Sequence, residues 1–272
     1  MAEIDNPSGK VLIISHRGDW RNAPENSIAA YENALNMGVQ IIELDVRESA
    51  DGVLMNLHDA TLDRTTNGKG KISNAAASKI LALNLRDGHN YVTGHHPSTT
   101  EQILETFKGR CLMIIDKADG HYGELYRLAC KTGTVDQIIL KTYMRPEQLD
   151  SISLEVMKKV HFVPCINLSS GERFEDIDKF ISMGACGFEL TYSKLTDEIA
   201  SAISNVRSCG LCYTATTLLD KWCGGCGDDK AVENGKEEEC WGSLLKLGAN
   251  IFMTDRPQQM IDYFKKKGVL YK

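Results

Sequence analysis

The chain has 272 residues, of which 42% are hydrophobic and 25% are charged, and its formal net charge is -6. This composition is typical of a globular protein, and the length suits one α/β barrel, which needs about 250 residues. The acidic balance, without a basic stripe, argues against a nucleic-acid partner. No apolar run approaches about 18 residues, so the sequence predicts no transmembrane segment.

Eight short runs of apolar and β-branched residues alternate along the chain with stretches of helical pattern. The predicted strands are residues 11–15, 40–46, 111–115, 137–141, 161–165, 186–190, 212–216 and 250–254. Such alternation predicts a parallel sheet, and eight units favour a closed (β/α)8 TIM barrel, formed as a single domain over residues 1–272. The alternative is an open doubly wound sheet, which often has a glycine-rich turn after its first strand, and that turn is absent here.

The first helix is predicted to follow Asn26, which we interpret as its N-cap, and to stop at Gly38. Its apolar face should contain Ile28, Tyr31 and Leu35. Further helices are predicted over residues 123–131, 146–158, 174–183, 197–209, 240–247 and 257–266, and another begins near residue 99.

Two polar stretches interrupt the alternation, and each follows a predicted strand. The longer one, about residues 59–97, is an insertion after the second strand, and residues 222–239 follow the seventh strand. Segments that follow strands lie at the C-terminal face of a barrel, where barrel enzymes carry their chemistry. We therefore expect functional side chains at this face.

The cysteines and the N-terminus bear on the compartment. The nine cysteines include two Cys-x-x-Cys pairs, Cys209/Cys212 and Cys223/Cys226. A predicted strand separates the pairs by about 15–20 Å, too far for one zinc site, so we expect thiols, with a Cys223–Cys226 disulfide as the alternative. Reduced thiols and the polar start "MAEIDNPSGK" indicate the cytoplasm, or else a periplasmic or secreted protein whose signal peptide was removed.

The second predicted strand, "QIIELDVRES", carries two carboxylates on one face. Side chains alternate in a strand, so Glu43 and Asp45 lie opposite the apolar side chains at 42, 44 and 46 and point into the barrel. Two carboxylates in a partly desolvated site repel each other, and a divalent cation such as Mg²⁺ or Ca²⁺ would remove that repulsion. The alternative is an ion pair with an inward Lys or Arg.

Basic side chains follow the neighbouring strands. His16 and Arg17 end the first strand in "SHRGD", and His58 follows the short run "VLMNL". A phosphate group accounts for this combination, because Arg17 and a metal ion would neutralise its oxygens while two imidazoles exchange protons beside the phosphorus. Histidine suits that task because its pKa, about 6.5, lies near neutrality.

These motifs together resemble the glycerophosphodiester phosphodiesterases. His-Arg-Gly, Pro-Glu-Asn-Ser, Glu-x-Asp and His-Asp followed by Leu-Asp-Arg-Thr-Thr occur in the order of that family, and "TDRP" at 254–257 matches its usual ending. The resemblance is dense over residues 11–70 and thinner beyond. It implies a (β/α)8 barrel with a small insertion after the second strand. It also implies metal-dependent hydrolysis of a small-molecule glycerophosphodiester to an alcohol and glycerol 3-phosphate.

The resemblance also implies roles for individual residues. His16 and His58 match the acid/base pair, Arg17 matches the phosphate contact, and Glu43 and Asp45 match metal ligands. In the mechanism proposed for the family, the 2-hydroxyl of the substrate attacks phosphorus, and water opens the resulting cyclic phosphate. Which histidine acts as the base is left open by the sequence.

The third strand departs from the family pattern. The family usually ends this strand with Glu-x-Lys, whereas this chain has "IIDKAD". Adjacent side chains point to opposite faces, so Asp116 and Lys117 both face inward only if a bulge or the end of the strand lies between them. We expect that ending, with Asp116 near the metal and Lys117 near the phosphate. Glu189 and Lys141 are the alternatives for these two roles.

Other functions share parts of this pattern. A phospholipase C/D-like phosphodiesterase would act on lipid, a non-catalytic barrel would bind phosphate without turnover, and a metal-dependent sugar isomerase or aldolase would need no His-Arg-Gly motif. The sequence does not specify the alcohol group, the preferred ion or the oligomeric state.

Overall fold

The computed structural model describes residues 10–271, so the N-terminal segment used for the compartment expectation lies mostly outside it. Ser15–Leu140 forms one compact unit, and the described residues before and after it form a second. The prediction of a single domain over residues 1–272 stays a prediction. Within residues 10–271, no helix is both long enough and apolar enough to span a bilayer.

Nine strands form the sheet. They are β1 (Leu12–Ser15), β2 (Ile41–Glu48), β3 (Leu54–Asn56), β4 (Leu112–Asp116), β5 (Ile138–Thr142), β6 (His161–Asn167), β7 (Gly187–Thr191), β8 (Cys212–Thr216) and β9 (Ile251–Thr254). The eight predicted strands are confirmed to within two residues at each end. The short strand β3 was not predicted, and it pairs antiparallel with β2.

The order of strands confirms the predicted fold class. Hydrogen bonds join them in the order β1-β9-β8-β7-β6-β5-β4-β2-β3, and β1 also pairs with β2. The fold is therefore a (β/α)8 TIM barrel of eight parallel strands. One additional strand, β3, pairs with β2. In the parallel register of β2 and β4, Asp45 lies opposite Asp116, so adjoining strands bring these two residues together.

The helices occupy the intervals between strands. They are α1 (Ile28–Met37), α2 (Ala77–Leu81), α3 (Thr100–Thr106), α4 (Tyr122–Thr132), α5 (Ser151–Met157), α6 (Phe174–Ser182), α7 (Asp197–Ser208), α8 (Asp228–Glu233), α9 (Ser243–Leu247) and α10 (Pro257–Lys267). Single turns of 3-10 helix occur at Ile72–Asn74, Val135–Gln137, Pro146–Gln148 and Asp220–Trp222, and a π-helical turn occurs at Glu238–Gly242.

The predicted start of the first helix is wrong by one residue. Ser27, not Asn26, is the N-cap, because its hydroxyl accepts a hydrogen bond from the backbone N–H of Ala30 at 3.1 Å. The predicted apolar face is also shifted, since Ile28 is 37% exposed whereas Tyr31 is fully buried. The predicted stop is confirmed, because Gly38 has a φ of 103°.

The predicted helix over residues 146–158 is interrupted. Pro146–Gln148 forms a 3-10 turn, and Leu149 then adopts an extended conformation. The α-helix begins at Ser151, where the Asp150 side chain accepts from the backbone N–H of Ser153 at 2.7 Å. The interruption follows from this aspartate, which is a strong N-cap residue.

The region after β3 has a small hydrophobic cluster of its own. Its buried members are Met55, Leu57, Leu62, Ile72, Ala77, Ile80 and Leu85. Packing of these apolar side chains anchors the otherwise polar segment, and with it the polar side chains that the segment carries.

None of the nine cysteines, all of which lie within residues 10–271, forms a disulfide bond. Cys212 and Cys223 are buried, Cys226 is half-buried and Cys209 is exposed. The alternative of a Cys223–Cys226 disulfide is therefore not realised in this structure.

Candidate functional site

Three carboxylates converge where the middle of β2 adjoins the end of β4. Oxygen atoms of Glu43, Asp45 and Asp116 all lie within 4.8 Å of one another. Glu43 and Asp45 are fully buried, and Asp116 is half-buried. Within residues 10–271, no other group of three His, Cys, Asp or Glu side chains has this spacing. The strand alternation that predicted Glu43 and Asp45 on one face agrees with this convergence.

The chain turns sharply after Asp116, which lets two consecutive residues face the same place. β4 ends at Asp116, and Lys117 has a φ of 57°, in the left-handed region. Lys117 Nζ lies 2.6 Å from Asp45 Oδ1, and its backbone N–H donates to Asp116 Oδ1 at 2.6 Å. The strand therefore ends where the sequence required it, and a left-handed non-glycine residue costs about 1 kcal/mol or more.

Arg17 enters the same group of side chains from the end of β1. Its backbone N–H donates to Glu43 Oε2 at 2.8 Å, and its Nε lies 3.4 Å from Asp45 Oδ2. Arg17 has a φ of 54° and Gly18 a φ of 77°. A Cβ atom at Gly18 would lie 2.7 Å from the carbonyl carbon of Ala30, so the turn that presents Arg17 requires glycine there.

The charges of this group favour a bound cation. Burial opposes the charged form of Asp45, but the nearby Lys117 and Arg17 outweigh it and lower the pKa of this carboxyl. The ion pair that the sequence offered as an alternative to a metal is thus present. However, two cations do not balance three carboxylates. A hard divalent ion would leave a net charge of about +1, which matches the single negative charge of a phosphodiester, and oxygen donors suit such an ion.

His58 is brought alongside β2 by the short strand β3. Its carbonyl oxygen accepts from Arg47 Nε on β2 at 2.9 Å. Its Nδ1 lies 2.7 Å from Asp59 Oδ1. Burial lowers the pKa of the His58 imidazole, although Asp45 and Asp59 partly offset this effect.

Asp59 is the acceptor in its contact with His58. Hydrogen bonds from Arg64, together with the one from His58, hold the pKa of the Asp59 carboxyl well below its usual range. The carboxylate is therefore ionised and can only accept, so the contact requires a proton on Nδ1 of His58, and in the neutral imidazole Nε2 then carries the lone pair.

The remaining residues singled out from the sequence have the following positions. His16 directly follows β1 and is half-buried, next to Arg17 in the chain. Lys141 and Glu189, the alternatives at the third strand, form a buried ion pair with each other at 2.8 Å. Asp116, rather than Glu189, belongs to the carboxylate group.

Sequence reasoning missed a buried polar network beneath the carboxylates. Asn26 Nδ2 donates to Asp45 Oδ2 at 2.8 Å, and its Oδ1 accepts from the Asp45 backbone N–H at 3.1 Å. The Tyr31 hydroxyl donates to Asn26 Oδ1 at 2.9 Å, and Asn56 Nδ2 donates to the backbone carbonyl oxygen of Asn26 at 2.5 Å. Asn26 has a φ of 56°, a conformation in which asparagine is enriched, and this preference was the one available signal.

Comparisons with known proteins agree with the family resemblance that the sequence motifs indicated. A family model described as "Glycerophosphoryl diester phosphodiesterase family" matches residues 16–167, which is more than half of the chain. A second model, described only as a domain of unknown function, matches residues 162–264.

One curated relative is the glycerophosphodiester phosphodiesterase of Caldanaerobacter subterraneus subsp. tengcongensis. It is 48% identical over 107 residues, which are 39% of this chain and 44% of the relative. The alignment therefore spans less than half of that protein.

Two solved structures share the fold. A glycerophosphoryl diester phosphodiesterase from Parabacteroides distasonis has a TM-score of 0.78 at 21% identity, covering 97% of this chain and 88% of its own. An Oleispira antarctica phosphodiesterase, solved with the product sn-glycerol-3-phosphate, has a TM-score of 0.69 at 17% identity, covering 95% and 98%. The extent of the family-model match decides the classification: this chain belongs to the glycerophosphoryl diester phosphodiesterase family.

Proposed function

We propose that the protein hydrolyses glycerophosphodiesters to an alcohol and glycerol 3-phosphate, with the help of a divalent cation. The observation that carries the proposal is the convergence of Glu43, Asp45 and Asp116, with their oxygens within 4.8 Å of one another. Arg17 and Lys117 contact the same carboxylates and provide cationic groups for the phosphate. Membership of the family and the names of the relatives support the same activity.

Glu43, Asp45 and Asp116 would hold the cation, either Mg²⁺ or Ca²⁺. When bound there, such an ion polarises a phosphoryl oxygen and stabilises negative charge that develops during the reaction. Arg17 and Lys117 would bind the remaining phosphate oxygens, because both are tied to Asp45 and so have a fixed position. A guanidinium and an ammonium fixed in advance contribute more to the rate than mobile ones.

His58 and His16 would exchange the protons. His58 is proposed as the base that removes the proton of the attacking 2-hydroxyl, because Asp59 holds the ring proton on Nδ1 and leaves the Nε2 lone pair available. His16, half-buried at the end of β1, would protonate the departing alcohol. The cyclic phosphate formed by this attack would be opened by water with the roles of the two histidines reversed.

The product of the Oleispira antarctica structure suggests which half of the substrate this fold recognises. That structure holds sn-glycerol-3-phosphate, so we propose a glycerol phosphate portion in common and a variable alcohol. The partner is then a small molecule rather than a polymer.

The experiment that tests the proposal is a panel of glycerophosphodiesters assayed for glycerol 3-phosphate with Mg²⁺, with Ca²⁺ and with EDTA. We expect release from at least one substrate, such as glycerophosphocholine, and its loss with chelator. Release of the head-group alcohol or the phosphorylated head group from intact phospholipid, with no glycerol 3-phosphate from the soluble diesters, would instead favour the lipid-acting alternative.

A variant pair separates catalysis from binding alone. His58→Ala should lower kcat by about a hundredfold or more, since it removes the proposed base. His89→Ala, an exposed histidine, is the matched control and should leave kcat unchanged. Tight binding of glycerol 3-phosphate by a wild type without turnover would favour a non-catalytic phosphate-binding barrel.

A further inference from the structure

Arg64, in the segment after β3, binds two carboxylates at once. Its Nε and Nη2 donate to Asp59 Oδ2 and Oδ1 at 2.7 and 2.8 Å. Its Nη1 and Nη2 donate to Glu25 Oε2 and Oε1 at 2.5 and 2.9 Å. Each carboxylate is thus held at two points, a geometry that a planar guanidinium provides and that a lysine ammonium does not reproduce.

Both carboxylates have a second partner, and each of those partners belongs to the candidate site. Asp59 Oδ1 lies 2.7 Å from Nδ1 of His58. Glu25 Oε1 accepts from Arg17 Nη1 at 3.1 Å. The Arg64 guanidinium is therefore linked to the proposed base, His58, through the Asp59 carboxylate. It is linked to the proposed phosphate ligand, Arg17, through the Glu25 carboxylate.

The ordinary explanation is a surface ion pair, because the Arg64 side chain is 50% exposed. Exposed pairs of this kind contribute little to stability. The two carboxylates are different, since they are only 15% and 25% exposed. A surface pair also gives no reason for both acceptors to be shared with residues of one site.

We infer that Arg64 is a positioning residue, which through Asp59 fixes the ring of His58 and through Glu25 fixes the guanidinium of Arg17. The inference rests on the proposed function. Without Arg64, the Asp59 carboxylate can rotate away from Nδ1, and the His58 ring loses the contact that sets its tautomer. An error of about 1 Å in the position of such a group can cost about a hundredfold in rate.

The test compares Arg64→Ala and Arg64→Lys with the wild type, and Arg110→Ala is the matched control. Arg110 also forms a two-point pair with a carboxylate of a distant segment, since it binds Glu32 with two bonds of 2.6 Å. Neither Arg110 nor Glu32 is a candidate site residue. The control therefore removes the same charge and the same type of pair elsewhere in the same compact unit.

The first measurement is steady-state release of glycerol 3-phosphate. We expect Arg64→Ala to lower kcat by at least about tenfold, Arg64→Lys to lie between it and the wild type, and Arg110→Ala to stay within about twofold. Guanidinium ion at a millimolar, non-denaturing concentration should restore part of the activity of Arg64→Ala.

The second measurement is nitrogen-15 NMR of the histidine rings, with His58→Gln used to assign the His58 signal. In the wild type the proton should lie on Nδ1, and in Arg64→Ala the ring should exchange between both tautomers. If the wild type releases no product, the proposed function fails. The NMR comparison of the wild type with Arg64→Ala then decides by itself whether Arg64 positions the His58 ring. An unchanged kcat in Arg64→Ala, or a lost kcat with an unchanged His58 tautomer, would overturn the inference.

Discussion

Glu43 is a fully buried carboxylate whose position serves two purposes. One of its oxygens accepts the backbone N–H of Arg17 at 2.8 Å, which fixes the turn after β1. Its carboxylate also lies within 4.8 Å of those of Asp45 and Asp116. An acidic side chain in this environment is costly to bury unless cations accompany it.

Replacing Glu43 by glutamine should remove most of the turnover while the fold stays intact. The amide keeps the shape and can still accept from Arg17, but it removes one negative charge from the proposed cation site. We expect kcat to fall by about a hundredfold or more. The measurements are glycerol 3-phosphate release and thermal unfolding.

Glu48→Gln is the control for this substitution, because Glu48 lies on the same strand and is exposed. It should match the wild type in both measurements. Full activity of Glu43→Gln at low metal concentration would contradict the assignment of this residue.

At the level of residues, simple alternation predicted the inward carboxylates but not their support. Glu43 and Asp45 alternate with apolar neighbours, so their shared face follows from strand geometry alone. The role of Asn26 does not, because its contacts join residues 19 positions apart and depend on a left-handed backbone angle. A local pattern of polar residues before a helix is read as a cap, which is what misled the prediction here.

At the level of elements, Asp228 joins the segment after β8 to the end of β9. It is buried, and its Oδ1 accepts from Thr217 Oγ1 at 2.6 Å and from Trp241 Nε1 at 3.1 Å. Its Oδ2 accepts from Thr254 Oγ1 at 2.7 Å and from the Asp255 backbone N–H at 2.8 Å. Four donors from three segments of the chain thus converge on one carboxylate.

Asp228→Ala should therefore destabilise the protein strongly. It leaves buried donors without an acceptor, and we expect a loss of about 3 kcal/mol in the free energy of unfolding at neutral pH. Asp229→Ala is the control, since the neighbouring Asp229 is 68% exposed and pairs with Arg256. Urea unfolding of both variants measures the difference, and similar losses in the two would contradict the role of Asp228.

The penalty for Asp228→Ala should also depend on pH. Burial raises the pKa of the Asp228 carboxyl to about 6, whereas an unfolded aspartate titrates near 3.9. The folded state then binds this proton more tightly, so the contribution of Asp228 to stability falls as pH rises from about 4 to about 6. The penalty should be about 2 kcal/mol larger at about pH 4.5 than at about pH 7. Equal penalties at the two pH values would show that its pKa is not raised.

The regular elements were more predictable than the irregular ones. The eight predicted strands are short runs rich in apolar and β-branched residues, so their positions follow from composition. β3 is only three residues long, which is too short to show a periodic pattern. Its pairing with β2 is therefore not predictable from the sequence. Two helix starts are possible in this segment, one with Pro146 in the first turn and one with Asp150 as the N-cap. The sequence alone does not decide between them, and the structure has the α-helix begin after Asp150.

At the level of the whole molecule, the candidate site is concentrated in a small part of the chain. The seven residues that the sequence indicated as first choices for the site lie from His16 to Lys117, inside the compact unit Ser15–Leu140, whereas the alternatives Lys141 and Glu189 lie outside it. The family-model match over residues 16–167 covers all of them. The sequence could indicate these candidates because their motifs lie in or directly after early strands of the sheet. In contrast, the contacts of Asp228 with Thr254 and Asp255 join residues more than 25 positions apart and leave no local pattern.

The chain carries a net charge of -6, so its overall field does not attract an anionic substrate. On the proposed function, attraction would come from the local cations Arg17 and Lys117 and from a cation held by the three carboxylates. The most direct test strips the protein with chelator and titrates Mg²⁺ or Ca²⁺ back while glycerol 3-phosphate release from glycerophosphocholine is measured. We predict no release from the stripped protein and a return of activity that saturates at one ion per chain. Full activity in the stripped protein would contradict the account.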